Sequence, residues 1–419
     1  MTPQQILRAL FDRAVEVADP MRSLGPQLPP RPEGRVLVIG AGKASARMAE
    51  AVEAEWGPCE GLVITRYGYA RPCRGIEIVE AAHPVPDAAG VAATGRMLEL
   101  LEGAREDDFV LALISGGGSA LLTRPAGGIT LAEKQAVTQA LLASGAPIAE
   151  INGIRREISA VKGGRLTAAA YPARMLALLI SDVPGDDPGD IASGPTVGHR
   201  GDAARALAAL KRWGVAPPPS VAAWLEAGGD PVTPDDPRLS RVENRIVAAP
   251  SQSLAAAAEL AEAHGFAVEI LGDAIEGEAR EVARTHAGIA RRAKGPRVIL
   301  SGGELTVTRR GDGVGGPNAE YALALALALE GAPGIHALAC DTDGVDGAAE
   351  VAGALIGPET LARARAAGVA PEDALARNDA HGFFAAIGGQ VVTGPTLTNV
   401  NDFRAILIEG PGERMAARA

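Results

Sequence analysis

The sequence has 419 residues, a formal net charge of −11, 47% hydrophobic and 22% charged residues, and only 3% aromatics. A chain this long builds two or more cored domains. Its acidity argues against a nucleic-acid backbone as partner, and its few aromatics argue against stacking of single-stranded bases. Residues 1–20 read as an amphipathic helix carrying acids. They lack a basic segment ahead of an apolar core, so no signal peptide is expected. Apolar runs follow at 36–40 (VLVIG), 62–65 (LVIT), 109–115 (FVLALIS) and 175–181 (MLALLIS). They show no polar alternation, which predicts strands buried on both faces of a parallel sheet. Helix-period stretches lie between them at 44–56 and 131–143. Proline, glycine and aspartate concentrate at 214–240, read as a linker. A second α/β series then runs through 245–265, 267–271, 296–308, 336–344 and 390–396. The ALALALAL run at 322–329 is too short to cross a bilayer and reads as a buried helix. Cys59, Cys73 and Cys340 form an odd set without metal-ligand spacing, which suits a reducing, cytoplasmic setting. The expected division is 1–240 and 241–419.

Glycine-rich turns follow the strands repeatedly. Gly40 and Gly42 precede Lys43; Ser115 precedes Gly116, Gly117, Gly118 and Ser119; and Gly303 precedes Glu304. At the carboxyl ends of strands such turns let backbone N–H groups approach an anion. The stretch GAGKAS (40–45) meets neither of two nucleotide patterns in full. The dinucleotide fingerprint G-x-G-x-x-G has Ser45 at its third glycine, and no acid follows the next strand, where Thr65-Arg66 stands. The phosphate loop GxxxxGK[ST] lacks its spacing. Lys43 nonetheless stands where its ammonium can meet a phosphate at a helix start, a position that otherwise opposes the helix dipole.

Phosphoryl transfer also needs carboxylates for metal binding and positioning. Asp182 follows a strand directly, with Asp186, Asp187 and Asp190 in the same loop. Glu304, Asp341, Asp343 and Asp346 form a second set. Arg155, Lys162 and Arg165 are cations suited to a substrate carboxylate. Read as one helix, residues 152–166 bring Arg155, Ser159 and Lys162 onto one face. His83 reads as a structural loop histidine.

Taken together, GAGKAS (40–45), HPVPD (83–87), LISGGGSALL (113–122), KGGRL (162–166), ISDVPGDDPGDIASGPT (180–196), SGGELTVT (301–308), DTDGVDG (341–347) and VTGPTLTNVND (392–402) resemble the glycerate 2-kinase family. The resemblance spans nearly the whole chain. It implies two α/β domains. The N-terminal one is a Rossmann-like parallel sheet with helices on both faces, joined to a smaller MOFRL-type C-terminal domain, with the active site in the cleft between them. It further implies transfer of the ATP γ-phosphate, with Mg²⁺, to the 2-hydroxyl of D-glycerate. In that scheme Lys43 and Asp182 are catalytic, and Gly40, Gly42, Ser115–Ser119 and Glu304 bind nucleotide. Arg155 and Lys162 bind substrate, and Asp182 and Glu304 bind metal. The expected partners are a small molecule and a nucleotide, with no nucleic acid and no membrane, and a homodimer is left open. The family also carries the name hydroxypyruvate reductase, which the incomplete dinucleotide fingerprint suits poorly. An impaired, ligand-binding relative is the third reading, because Pro317 stands where the family has an arginine. Arg309 and Arg310 are candidate replacements. Val314, Glu157 and Gln390 also depart from the family pattern.

Overall fold

The computed structural model describes residues 1–410. The described residues form two compact units: Ser23–Ser181 with Asp186–Val247, and Met1–Arg22 with Asp182–Gly185 and residues 248–410.

The first unit is built on six strands, β1 (Val36–Ala41), β2 (Glu60–Arg66), β3 (Ile76–Ala81), β4 (Phe109–Ile114), β5 (Arg174–Ile180) and β6 (Val242–Ala248). They lie in the order β3-β2-β1-β4-β5-β6. The pairings β1–β2, β1–β4, β2–β3 and β4–β5 are all parallel. β1 and β4 are buried along their whole length, as expected for strands covered by helices on both faces. The strand order reverses between β1 and β4, so the sheet has its switch point there, where open α/β sheets bind ligands at their strand carboxyl ends.

Residues 214–240, expected as a linker, are part of this unit. The helix Pro219–Glu226 packs Val221 and Leu225 with Ala206, Ala209 and Leu210 of the helix Ala203–Arg212. β6 then joins the sheet, so the unit runs past residue 240.

The second unit holds a mixed sheet of β7 (Ala267–Ile270), β9 (Arg297–Gly302), β11 (Ile335–Asp341), β12 (Gly353–Ile356), β13 (Gln390–Val391) and β14 (Asp402–Ile408), ordered β13-β12-β11-β14-β9-β7. A short parallel pair, β8 (Gly277–Glu278) with β10 (Leu305–Thr306), stands apart. β14 is antiparallel to both neighbours and buried throughout. The N-terminal helix Pro3–Ala18 belongs to this unit. Its Leu7, Leu10 and Phe11 pack with Leu254, Ala257, Val298 and Phe403. The 322–329 run lies in the buried helix Pro317–Leu329. Among the described residues no helix is long and apolar enough to cross a membrane.

Candidate active site

The loops after β1 and β4 are interlocked. Gly42 has φ +149°, and a Cβ there would lie 2.0 Å from Ser115 Oγ. Lys43 N–H donates to Gly116 C=O at 2.9 Å, and Ala44 N–H donates to Ser115 Oγ at 3.0 Å. Ser45, at the third position of the dinucleotide pattern, is fully buried and donates its hydroxyl to Leu113 C=O at 2.9 Å. The face of Gly42 that a dinucleotide would need is therefore taken by Ser115, a feature the fingerprint could not reveal.

Gly117 (φ +78°) forms the tip of the β4 loop. A Cβ there would lie 3.1 Å from both His83 Nε2 and Lys43 Cγ, so these two side chains border the glycine turn. His83, read from sequence as a loop histidine, thus stands beside Lys43. Ser119 Oγ lies 2.8 Å from Ser193 Oγ and accepts from Arg155 Nη2 at 2.8 Å. Ser193 was not singled out from sequence; its only sign there is a place in the SGP segment after the aspartate loop.

The helix carrying Arg155 ends at Glu157, so the single helix expected across 152–166 does not exist. Arg155 and Lys162 still meet, because both reach the Ser119 loop. Lys162 is fully buried and donates its Nζ to the carbonyls of Ser119 (2.8 Å) and Leu122 (3.1 Å). It braces the loop from behind. Burial lowers Arg155 and holds Lys162 well below the usual lysine range. Arg165 serves main-chain carbonyls, with Nη1 on Arg156 and Lys162. Glu157 is buried and pairs with His199 Nε2 at 3.0 Å. Burial would raise its pKa, but His199 and the Asp202 N–H more than offset that, leaving it below the usual value.

In the second unit Asp182 is fixed by two asparagines. Asn399 Nδ2 donates to its Oδ2 at 3.2 Å, and Asn401 Nδ2 to its backbone carbonyl at 3.1 Å. Asn401 holds φ +69°, a conformation asparagine tolerates better than most residues. The Asn399-Val400-Asn401-Asp402 string was legible as a motif, but not its partner 217 positions earlier.

The acids of the 341–346 stretch are mostly consumed internally. Asp346 accepts the N–H groups of Asn318 (3.0 Å) and Ala319 (2.8 Å) at the start of the helix Pro317–Leu329, and its Oδ2 lies 3.0 Å from His381 Nε2. Pro317 is the first residue of that helix, where its missing N–H costs nothing and its fixed φ suits the helix. Asp402 accepts from Asn318 Nδ2 (2.6 Å) and Arg404 Nη1 (3.1 Å). Burial pushes its carboxyl up against the opposing pull of Arg404, and the charges of Asp346 and Glu304 add to the rise. Glu304 is exposed between β9 and β10. Arg309 and Arg310 are exposed in the connection that follows β10. Gln390 donates to His381 C=O at 3.2 Å. Among the described residues no group of three His, Cys, Asp or Glu is placed to hold a metal ion unaided. Mg²⁺ in phosphoryl transfer takes only one or two carboxylates and completes its shell with phosphate and water, so the lack of a three-ligand cluster does not bear on it.

The sheet is of the doubly wound α/β class, and a lysine, a histidine, two serines and an arginine gather at its switch point, where proteins of this class bind their ligands. Family comparison agrees. Residues 6–226 match a domain of unknown function, DUF4147, and residues 297–402 match the MOFRL family. A provisionally named hydroxypyruvate reductase of Agrobacterium vitis is 52% identical, over 97% of this chain and 95% of the relative. The D-glycerate 2-kinase of Thermotoga maritima is 38% identical, over 94% and 95%. The crystal structure of a Thermotoga maritima glycerate kinase superposes with TM-score 0.87 at 37% identity, covering 96% of this chain and 99% of that one. The chain belongs to the glycerate kinase family.

Proposed function

We propose that the protein is an ATP- and Mg²⁺-dependent kinase that phosphorylates the 2-hydroxyl of D-glycerate to give 2-phosphoglycerate. The observation that carries this reading is the interlock of the two glycine loops. It packs Gly42 against Ser115 and leaves Lys43, Gly117 and Ser119 partly exposed at the strand ends. Lys43 neutralises phosphate oxygens, and the 116–119 loop holds phosphate through its backbone. Arg155, already on Ser119 Oγ, takes the substrate carboxylate in a forked contact. Asp182, oriented by Asn399 and Asn401, positions the 2-hydroxyl or binds metal. Glu304 offers a second carboxylate. Bound Mg²⁺ supplies charge neutralisation between the phosphates.

The Agrobacterium vitis relative's name favours a second reading, an NAD(P)H-dependent hydroxypyruvate reductase. The packing of Ser115 over Gly42 and the buried Ser45 weigh against it. The test is product formation from D-glycerate and MgATP, resolved by phosphorus NMR into 2- and 3-phosphoglycerate, beside an assay of hydroxypyruvate with NAD(P)H. A 2-phosphoglycerate signal without NAD(P)H oxidation is expected. NAD(P)H oxidation alone would reject the kinase.

A further inference from the structure

Among the described residues Lys162 and Arg155 bond the 116–122 loop, Lys134 bonds the neighbouring Ile158 carbonyl, and no carboxylate is hydrogen-bonded to any of the three. Lys162 is fully buried on the carbonyls of Ser119 and Leu122. Lys134, from the helix Leu131–Ala143, is 4% exposed and donates its Nζ to Ile158 C=O at 3.1 Å. Arg155 donates to Ser119 Oγ. The charges acting on Lys162 are Lys134, Arg155 and Arg156, and those acting on Lys134 are Arg155 and Arg165. The acids on the surrounding elements are engaged elsewhere. Glu157 pairs with His199, Glu150 with Arg212, and Glu133 caps its own helix at Thr130 and bonds Ser220. Arg156 has Asp190 as its partner, and Arg165 feels Glu157 and Asp230.

Buried ammonium groups of one sign, with only carbonyl dipoles to face, leave their charged forms disfavoured. An anion on the front of the same loop reverses that balance. We propose that an anion seated on the Ser119 loop is the missing counter-charge of this cluster, and that its binding draws a proton onto the buried Lys134–Lys162 pair. Lys162 is then a positioning residue that acts through Ser119. Burial supports the coupling, because it lowers Lys134 to about 7 and Lys162 well below the usual lysine range, so both have room to gain a proton. The inference rests on the reading that Arg155, held on Ser119 Oγ, takes the substrate's carboxylate beside this loop.

The experiment is calorimetric titration of the full chain with D-glycerate, in Tris and in HEPES at the same pH. At about pH 8 the ligand's carboxyl is fully ionised, so any proton taken up belongs to the protein. The observed heat is expected to differ between buffers by an uptake of up to about one proton per site. Lys162→Met should abolish most of that uptake and weaken binding about tenfold. Lys134→Met, which leaves the Ser119 contact intact, should remove part of it and serves if Lys162→Met does not fold. Binding with equal heat in both buffers, or uptake unchanged in the variants, overturns the proposal while leaving the anion loop standing. Absence of any glycerate binding overturns both.

Discussion

Asp346 separates a structural from a catalytic reading of the DTDGVDG stretch, and Asp346→Ala tests it. The carboxylate is 1% exposed, caps two N–H groups at the start of the helix Pro317–Leu329, and faces His381. Each buried donor left without an acceptor costs about 1–3 kcal/mol, and breaking a buried pair costs about 3–5 kcal/mol. The losses overlap, since all arise at one carboxylate, and a net destabilisation of about 3–5 kcal/mol follows. Asp346→Asn keeps the shape but turns one acceptor into a donor, so about 1–3 kcal/mol is expected. The assay is urea unfolding followed by far-UV circular dichroism. Trp56, Trp213 and Trp224 all lie in the first unit, so tryptophan fluorescence reports that unit and serves as the internal control. An early circular dichroism transition, with the fluorescence transition nearly unmoved, is the expected pattern. A variant that unfolds at the wild-type midpoint yet has lost turnover would refute the reasoning and make Asp346 a chemical group.

Lys43→Ala should lower turnover by orders of magnitude with an unchanged melting temperature; near-normal turnover rejects its role. Gly42→Ala forces a Cβ against Ser115 at positive φ, combining backbone strain of about 1–3 kcal/mol with overpacking of similar size. A melting temperature close to that of the parent would show that the loops are not locked. Glu53 is buried, which raises its pKa, but the N–H groups of Arg74, Ile76 and Gly75 outweigh this and hold it below the usual value. Its contribution to stability is therefore full above its unfolded value of 4.5 and is lost as pH falls through the lower folded value. Glu53→Gln should flatten the acid limb of a stability–pH curve, and an unchanged limb contradicts the assignment. Pro317→Arg removes a residue whose fixed φ suits the helix start, at a cost of about 0.4–1 kcal/mol. A rise in kcat would show that the family's arginine is missed here, whereas unchanged kcat would show that the proline is tolerated.

Much of the first unit can be read from residue order alone. β1, β4 and β5 are continuous apolar runs because both their faces are covered, and the turns after them are visible as glycine. β3 (IEIVEA), at the sheet edge, carries Glu77 and Glu80 and is less buried than the central strands. β14 (DFRAILI) places Asp402 and Arg404 within a fully buried strand, where each charge answers the other, so its pattern does not read as core. The expected helix through 152–166 stops at Glu157, and Gly163 and Gly164 adopt positive φ before a separate helix begins at Arg165. Local composition thus determined the fold class, the family and the glycine loops that follow the strands. Periodicity and spacing carry only short-range information, and contacts across tens or hundreds of residues lie beyond them. The brace of Lys162 on Ser119, the clasp of Asn399 and Asn401 on Asp182, and the filling of Gly42 by Ser115 were decided only when packing closed those distances.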